Sequence, residues 1–262
     1  PIDTLNLHTF NGKGNMLKML REYLNFGGFP EVVTGGNKEK ILKQYADEIF
    51  YKDFVERHNI KSLEFGRFLF EFSFQNFAKD ISLRKIKRFF GKNISERTLY
   101  EYTEKIQDTM AVFLLERFSK TVYMRKAWPR KIYTCDVGIS KAFGFSHDIG
   151  KRMENQVFVD LLRRTNENPL LSFYYWKDLT GEVDFVIRQG AKITQLVQVT
   201  HTSGRDEIEK REIRALLKAG KELNCKKLSV ITWDYEGEEK INNRKIKFLP
   251  LWKWFVYFDR KT

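Results

Sequence analysis

Residues 181–187, Gly181-Glu182-Val183-Asp184-Phe185-Val186-Ile187, set an aspartate in the middle of an apolar run of strand-forming residues. A carboxylate between Val183 and Phe185 is costly to bury without a partner. The run is therefore either an edge strand that shows Asp184 to solvent, or a strand that delivers Asp184 to a site. Outward from it, residues 171–177 and 193–200 also read as strands. Residues 153–164 read as a helix before them, and residues 206–223 as an amphipathic helix after them, with Ile208, Ile213, Leu216 and Leu217 apolar. Strand-like runs at 227–233 and 246–250 complete the pattern. Helix, three strands, helix, strand predicts an α/β layout: a mixed sheet flanked by helices.

Glu154 falls on the leading helix of this layout, Asp184 in the second strand, and Gln198 and Thr200 at the end of the third. The last two are two apart and so share a face of the strand. Metal-dependent phosphodiester cleavage needs acidic oxygens to hold Mg²⁺ or Mn²⁺ and a group that poises water. Glu154 and Asp184 are the candidate metal ligands, with Gln198 beside them. His201, next along the strand, reads as a surface residue pointing to the other face.

The first part of the chain is helical in texture. Residues 16–26 place Leu17, Leu20 and Leu24 on one face, and Gly27-Gly28-Phe29-Pro30 ends the helix. Residues 38–58 form a second helix with Ile41, Tyr45, Ile49 and Phe50 as its apolar stripe. Residues 63–76, rich in Phe and Leu, must be largely buried; Phe68, Phe70, Phe72, Phe74 and Phe77 read as core packing. A short basic helix at 81–90 follows, then Ser95 as cap of a helix at 96–112 with Leu99, Tyr102 and Ile106 inward. Strand-like runs at 113–119, 121–125 and 131–135 come next. This is the order of a winged helix. The predicted organisation is a helical segment at 1–62, a winged helix at 63–140 and the α/β unit at 150–262. Trp252 and Trp254 are expected to pack on the sheet through a short final helix.

The net charge is +13, and the pI is near 9.5. Residues 82–131 hold thirteen Lys or Arg against five Asp or Glu, so more than half of the excess lies there. Such a concentration points to an anionic partner, DNA or another nucleic acid, while abundant Lys, Arg and Glu also fit a thermophile's surface. The outward face of the 96–112 helix shows Arg97 but also Glu101, Glu104 and Asp108, poor chemistry for reading a groove. The expected phosphate contacts are Arg84, Lys85, Lys87 and Arg88 on the short helix and Arg125, Lys126, Arg130 and Lys131 on the wing. No run is long and apolar enough to span a membrane, and no membrane partner is expected. Cys135 and Cys225 stand in no metal spacing and read as reduced thiols of a cytoplasmic protein.

Several stretches together carry a resemblance. The order Glu154, Asp184, Gln198-Val199-Thr200 resembles the restriction-endonuclease-like, PD-(D/E)XK-type core. Tyr23-Leu24-Asn25-Phe26-Gly27-Gly28-Phe29-Pro30-Glu31-Val32-Val33, Lys52-Asp53-Phe54-Val55-Glu56-Arg57, Lys131-Ile132-Tyr133-Thr134-Cys135-Asp136-Val137-Gly138, Met153-Glu154-Asn155-Gln156-Val157-Phe158 and Tyr175-Trp176-Lys177 add to it. They are similar to the C-terminal region of archaeal and bacterial AAA-type ATPases, whose tails carry a winged helix and a nuclease-like domain of unknown function. The resemblance implies an ATP site in an N-terminal domain. No G-x-x-x-x-G-K-[ST] loop occurs here, Gly12-Lys13-Gly14 reads as a turn, and ATP is not expected to bind this segment. It also implies the ATPase core of the same protein as a partner.

The active nuclease core ends in Glu-x-Lys or Gln-x-Lys, and here Thr200 stands at the lysine position. Threonine supplies no cation near neutral pH; only a migrated Lys177 or Lys192 would substitute. The expectation is thus a nucleic-acid- or partner-binding module with a degenerate nuclease-like domain. The alternatives are an active Mg²⁺-dependent endonuclease using Glu154, Asp184 and Gln198, and a purely structural docking module.

Overall fold

The computed structural model describes residues 10–91, 94–145 and 148–257. It has a mixed α/β architecture with two sheets. Helix α1 (Phe10–Phe26) is followed by α2 (Pro30–Thr34) and α3 (Lys38–Glu48), which continues as a π-helical stretch, Ile49–Glu56. Next come α4 (Leu63–Gln75), β1 (Lys79–Ile81), α5 (Leu83–Phe90), α6 (Glu96–Asp108), β2 (Val112–Leu115), α7 (Val122–Ala127) and β3 (Arg130–Thr134). Ser62, Ser82 and Ser95 cap α4, α5 and α6 by accepting a backbone N–H three residues on. β3 lies between β1 and β2, antiparallel to both. Helix, strand, helix, helix and a β-ribbon follow one another; the strand β1 was not read from the sequence, and α6 ends at Asp108, short of the 96–112 span read as helix.

After α8 (Ile139–Ala142), the long helix α9 (Ile149–Glu167) leads into β4 (Leu171–Lys177), β5 (Glu182–Gln189) and β6 (Lys192–Val199). Then follow α10 (Lys210–Glu222), β7 (Leu228–Thr232), β8 (Gly237–Ile241), β9 (Arg244–Pro250) and α11 (Leu251–Tyr257). The six strands pair in the order β4-β5-β6-β7-β9-β8. β4, β5 and β6 form an antiparallel meander, β6, β7 and β9 run parallel, and β8 closes the edge antiparallel.

Two cores flank this sheet. One gathers Leu216, Ala219, Leu228, Val230 and Phe248 beneath α10; the other gathers α9 and α11 with Leu20 and Leu24 of α1. Helix α1 thus packs against α9 and α11, whereas Phe50, Phe54, Phe65, Phe70 and Phe74 form a third core with Leu99, Tyr102 and Ile106 of α6. The ends of the segments drawn at 1–62 and 150–262 fall partly outside the described residues.

Four sequence readings are corrected. Residues 122–125 form part of helix α7, with Thr121 at its N-cap position, and not a strand; the β-branched Thr121 and Val122 gave a strand propensity that depends on context. Gly12-Lys13-Gly14 lies inside α1, and Gly14 faces open space, where a helical glycine is tolerated. The inward row of α3 and its extension is Leu42, Ala46, Phe50 and Phe54, so Ile41, Tyr45 and Ile49 sit on its flank. The hairpin β8–β9 was not anticipated; its turn uses Asn242 and Asn243, both at positive φ, a conformation asparagine tolerates.

Two motifs of the sequence meet in space. The Asp136 carboxylate accepts the backbone N–H groups of Gly28 (2.7 Å) and Gly138 (2.7 Å). Gly27, at φ +79°, lies so close that a Cβ would fall 1.7 Å from Asp136 Oδ1. Replacing Gly27 by alanine is expected to lower unfolding free energy by about 2 kcal/mol or more. A urea midpoint equal to that of the parent chain would refute this account of the glycine.

Candidate functional site

Strand β3 runs beneath the leading helix α9 and against the β4–β5 hairpin. Alternation puts Lys131 and Tyr133 on one of its faces. The Lys131 side chain is only 2% exposed, and its ammonium lies 2.8 Å from Glu154 Oε1 and 2.9 Å from Asp184 Oδ1. It also pairs with Glu182. Tyr133 donates its hydroxyl to the same Glu154 oxygen at 2.6 Å, and its ring stacks on Phe158 with centroids 4.2 Å apart. The second Asp184 oxygen accepts the N–H of Val199 at 2.9 Å. Lys177 bridges Glu182 (3.0 Å) and Asp80 of β1 (2.9 Å).

Glu154 and Asp184 therefore meet in one pocket, as read from the sequence. The group between them is an ammonium of the chain itself. Lys131, grouped above with the phosphate-gripping wing cations, is buried and fully engaged: strand alternation turns it inward while Arg130 stays nearer the surface. Its three acceptors give it the same coordination role that a cation would have.

The electrostatics follow from crowding. Burial alone would lower the Lys131 pKa, but Asp184 and Glu154 hold it well above the ordinary lysine value. Burial, and then the charge of Asp184, push Glu154 up to about 8 against the pull of Lys131. Asp184 is raised by burial and by Glu182, again against Lys131. Three carboxylates crowd one ammonium, and the charged form of Glu154 is disfavoured accordingly.

The pocket opens into a cleft of about 760 Å³. Gln198, at the end of β6, lines it; its side chain is buried and Oε1 has no hydrogen-bond partner among the described residues. Thr200 lies just past β6, its N–H bonded to Ile231. Glu212, in the first turn of α10, reaches the same cleft. Burial, then Asp184 and Glu209, push its carboxyl up to about 7. His201 is exposed at the rim, edge-on to Trp233. Lys177 is committed to two carboxylates, and Lys192 is exposed at the start of β6, at the opposite end of the strand from Val199.

Glu182, Glu212 and Tyr133 were missed as site residues, and Lys131 was assigned to phosphate contact and not to this pocket. Glu212 looks like any acid in a helix first turn. Lys131 left no local signal either, because it stands beside Arg130 in a strand that also holds Thr134.

The residues do not fit a divalent metal as they stand. Glu154 Oε1 and Asp184 Oδ1 are turned onto Lys131, and Asp184 Oδ2 onto a backbone N–H. Mg²⁺ requires several hard oxygens around one point, and that point holds Nζ. Among the described residues no group of three or more His, Cys, Asp or Glu side chains is arranged to hold a metal.

The remaining basic residues are dispersed. Arg84, Lys85 and Arg88 are exposed on α5, with Lys87 half-buried; Lys126 is exposed on α7. Arg125 turns inward to donate to the Tyr174 hydroxyl at 2.8 Å. Arg84, Lys126 and Arg130 edge a second cleft, about 420 Å³, between α5, α6 and the ribbon.

Fold and site define a class: a winged-helix-ordered unit whose ribbon lysine fills the carboxylate pocket of an adjoining α/β unit. The chain belongs to the family defined by a domain of unknown function, DUF8612, whose model matches residues 17–148, and residues 149–254 match a second domain of unknown function, DUF4143. It is 37% identical to an uncharacterized protein of Methanocaldococcus jannaschii over 94% of this chain and 57% of that protein. It is 26% identical to an uncharacterized protein of Haemophilus influenzae over 67% of this chain and 44% of that one. The chain thus spans about half the length of the curated relatives it matches. Among the described residues no helix is long and apolar enough to cross a membrane.

Two outcomes test the pocket. Lys131→Met leaves buried acids without their cation and is expected to cost about 3–5 kcal/mol at neutral pH, less at pH 5 where the acids gain protons. A denaturation midpoint unchanged at both pH values would contradict it. Glu154 has a folded pKa above its ordinary 4.5, so its stability contribution is full below about pH 4.5 and is lost as pH rises through about 8. Stability should therefore fall between pH 5 and pH 8.5 more steeply in the parent than in Glu154→Gln; equal slopes would exclude this titration.

Proposed function

We propose that this chain is a binding module of a longer protein, gripping nucleic-acid backbone through its basic winged-helix face, and that its nuclease-like pocket does not turn over. The observation that carries the reading is Lys131: its ammonium stands where a phosphodiesterase of this general plan would need a metal, and Thr200 offers no cation at the strand end. A site whose carboxylates are saturated by an internal cation is an element of structure.

Charge placement supports the nucleic-acid part. For Arg84, Lys85, Arg88, Lys126 and Arg130 no carboxylate lies within ion-pair distance among the described residues. The neighbouring face of α6 carries Glu101, Glu104 and Asp108, all exposed. Cations on α5 and α7 beside an acidic α6 favour contact with phosphates over insertion of α6 into a groove. The unmatched length of the Methanocaldococcus jannaschii relative, a little under half, leaves room for a further domain. An AAA-type ATPase core is our proposal for it, on the resemblance of the sequence motifs, and any ATP hydrolysis would belong there.

Salt titration of duplex DNA binding tests the reading. Affinity should fall with a log–log slope of roughly −3 to −5, as expected for about five phosphate contacts. The double variant Arg84→Glu, Lys126→Glu should weaken binding by about tenfold or more at low salt. No binding at low salt in the parent chain would remove the proposal. Plasmid incubated with Mg²⁺ or Mn²⁺ should show the same background with the parent and with Asp184→Ala; cleavage by the parent alone would make the pocket a nuclease after all.

A further inference from the structure

The cleft of about 420 Å³ between α5, α6 and the β-ribbon lies on the other face of β3 from the carboxylate pocket. Alternation along β3 turns Arg130 and Ile132 toward it and Lys131 away from it. Its floor is apolar and buried, formed by Leu69, Ile106 and Ile132. Its walls keep surface open to solvent: Leu83 and Leu114 are half-buried, and Tyr100 is 56% exposed. The two buried hydroxyls that reach it are committed, Ser73 donating to the Leu69 carbonyl and Thr103 to the Leu99 carbonyl, each at 2.7 Å. A polar body would lose its hydrogen bonds to water there without replacement. An apolar cavity of this size with a few polar groups at its edge is the usual form of a small-molecule site.

The mouth is cationic. Arg84 on α5 and Lys126 on α7 are exposed, Arg130 on β3 is half-buried, and all three line the cleft. Among the described residues no aspartate or glutamate lines it, and none pairs with these three cations. The antiparallel register sets Arg130 opposite Ile81, from which the chain leads through Ser82 and Leu83 to Arg84. The cations thus border one opening from three elements, and an anionic group there need meet only one of the exposed pair. The groove between α1 and α11, lined by Met16, Met19 and Trp252, is also apolar, but its cation Lys38 is paired with Glu22. Only the α5–α6 cleft joins an apolar interior to unpaired positive charge.

We propose that this cleft binds a small amphipathic carboxylate, its alkyl chain seated against Leu83, Leu114 and Ile106 and its head at the mouth beside Arg84 and Lys126. The chain enters because each methylene removed from water is favourable. The head stays at the rim because a charge buried in the apolar floor would lose its hydration, whereas at the rim it gains a charge-assisted hydrogen bond. The rim cations are also among the phosphate contacts proposed above, but the carboxylate site requires nothing of nucleic acid.

The probe is sodium decanoate below its micelle concentration, titrated into the whole chain by calorimetry with no nucleic acid present. Hexanoate, octanoate, acetate and decyltrimethylammonium are the comparisons. Saturable one-to-one binding of decanoate is expected, tightening by about threefold per added methylene from hexanoate upward. Acetate, which has the head alone, and decyltrimethylammonium, which has the chain with the wrong charge, should not bind. The double variant Arg84→Gln, Lys126→Gln should weaken decanoate by about tenfold or more; circular dichroism checks that it is folded, and the chain-length series in the parent needs no substitution. Absence of saturable decanoate binding overturns the proposal. So does affinity independent of chain length, equal binding of decyltrimethylammonium, or unchanged affinity in the folded double variant, which would place the ligand elsewhere. A chain that binds DNA but not decanoate removes this inference alone; one that binds decanoate but not DNA removes only the nucleic-acid reading.

Discussion

The buried ammonium of Lys131 is the constraint on which the rest of the molecule depends. Its acceptors come from α9 and β5, and Lys131 itself from the ribbon strand β3. Isolated, each of these carboxylates would be expelled to solvent or protonated. Together around one lysine they fix three elements relative to one another. A buried ionic cluster is weak evidence for net stability, but breaking it by removing one partner leaves an uncompensated buried charge. Here the arrangement specified is the docking of one structural unit on another.

The family boundary makes this plain. Lys131 and Tyr133 lie in the part matched by DUF8612, and Glu154, Glu182 and Asp184 in the part matched by DUF4143. The same boundary is crossed by the amide of Asn155, which both accepts from the Thr134 N–H and donates to the Thr134 carbonyl at 2.9 Å. Tyr23 donates to Gln156 at 2.8 Å, and α1 lends Leu20 and Leu24 to the C-terminal core. A segment of α9, residues 154–156, thus presents three consecutive polar side chains to two elements, Glu154 and Asn155 to β3 and Gln156 to α1. Polar residues in the buried part of a helix are justified only when each finds its partner, and each does.

Much of this was legible in sequence, for identifiable reasons. Long periodic segments such as α4, α10 and the β4–β5–β6 meander declare themselves because one face must be apolar. Asp184 stood out because an acid in an apolar strand demands compensation, and its meeting with Glu154 followed from the order of elements. What compensated it did not follow. Nothing local tells the buried Lys131 from its half-buried neighbour Arg130; only the pleat of β3 and its placement under α9 decide. Charge counting consequently put Lys131 on the wrong side of the molecule's surface. Helix α7 was misread because its β-branched start mimics a strand, and Glu212 was invisible because first-turn acids are commonplace. Tertiary neighbours, rather than any local signal, turn those residues into site residues.

The central claim is that the cation between Glu154 and Asp184 belongs to the chain. Manganese-soaked crystals, measured at an energy where manganese scatters anomalously, test it most directly. The account predicts density for Lys131 Nζ in contact with Glu154 and Asp184 and no anomalous peak between those two side chains. A manganese peak there, with the lysine swung out of the pocket, would contradict it.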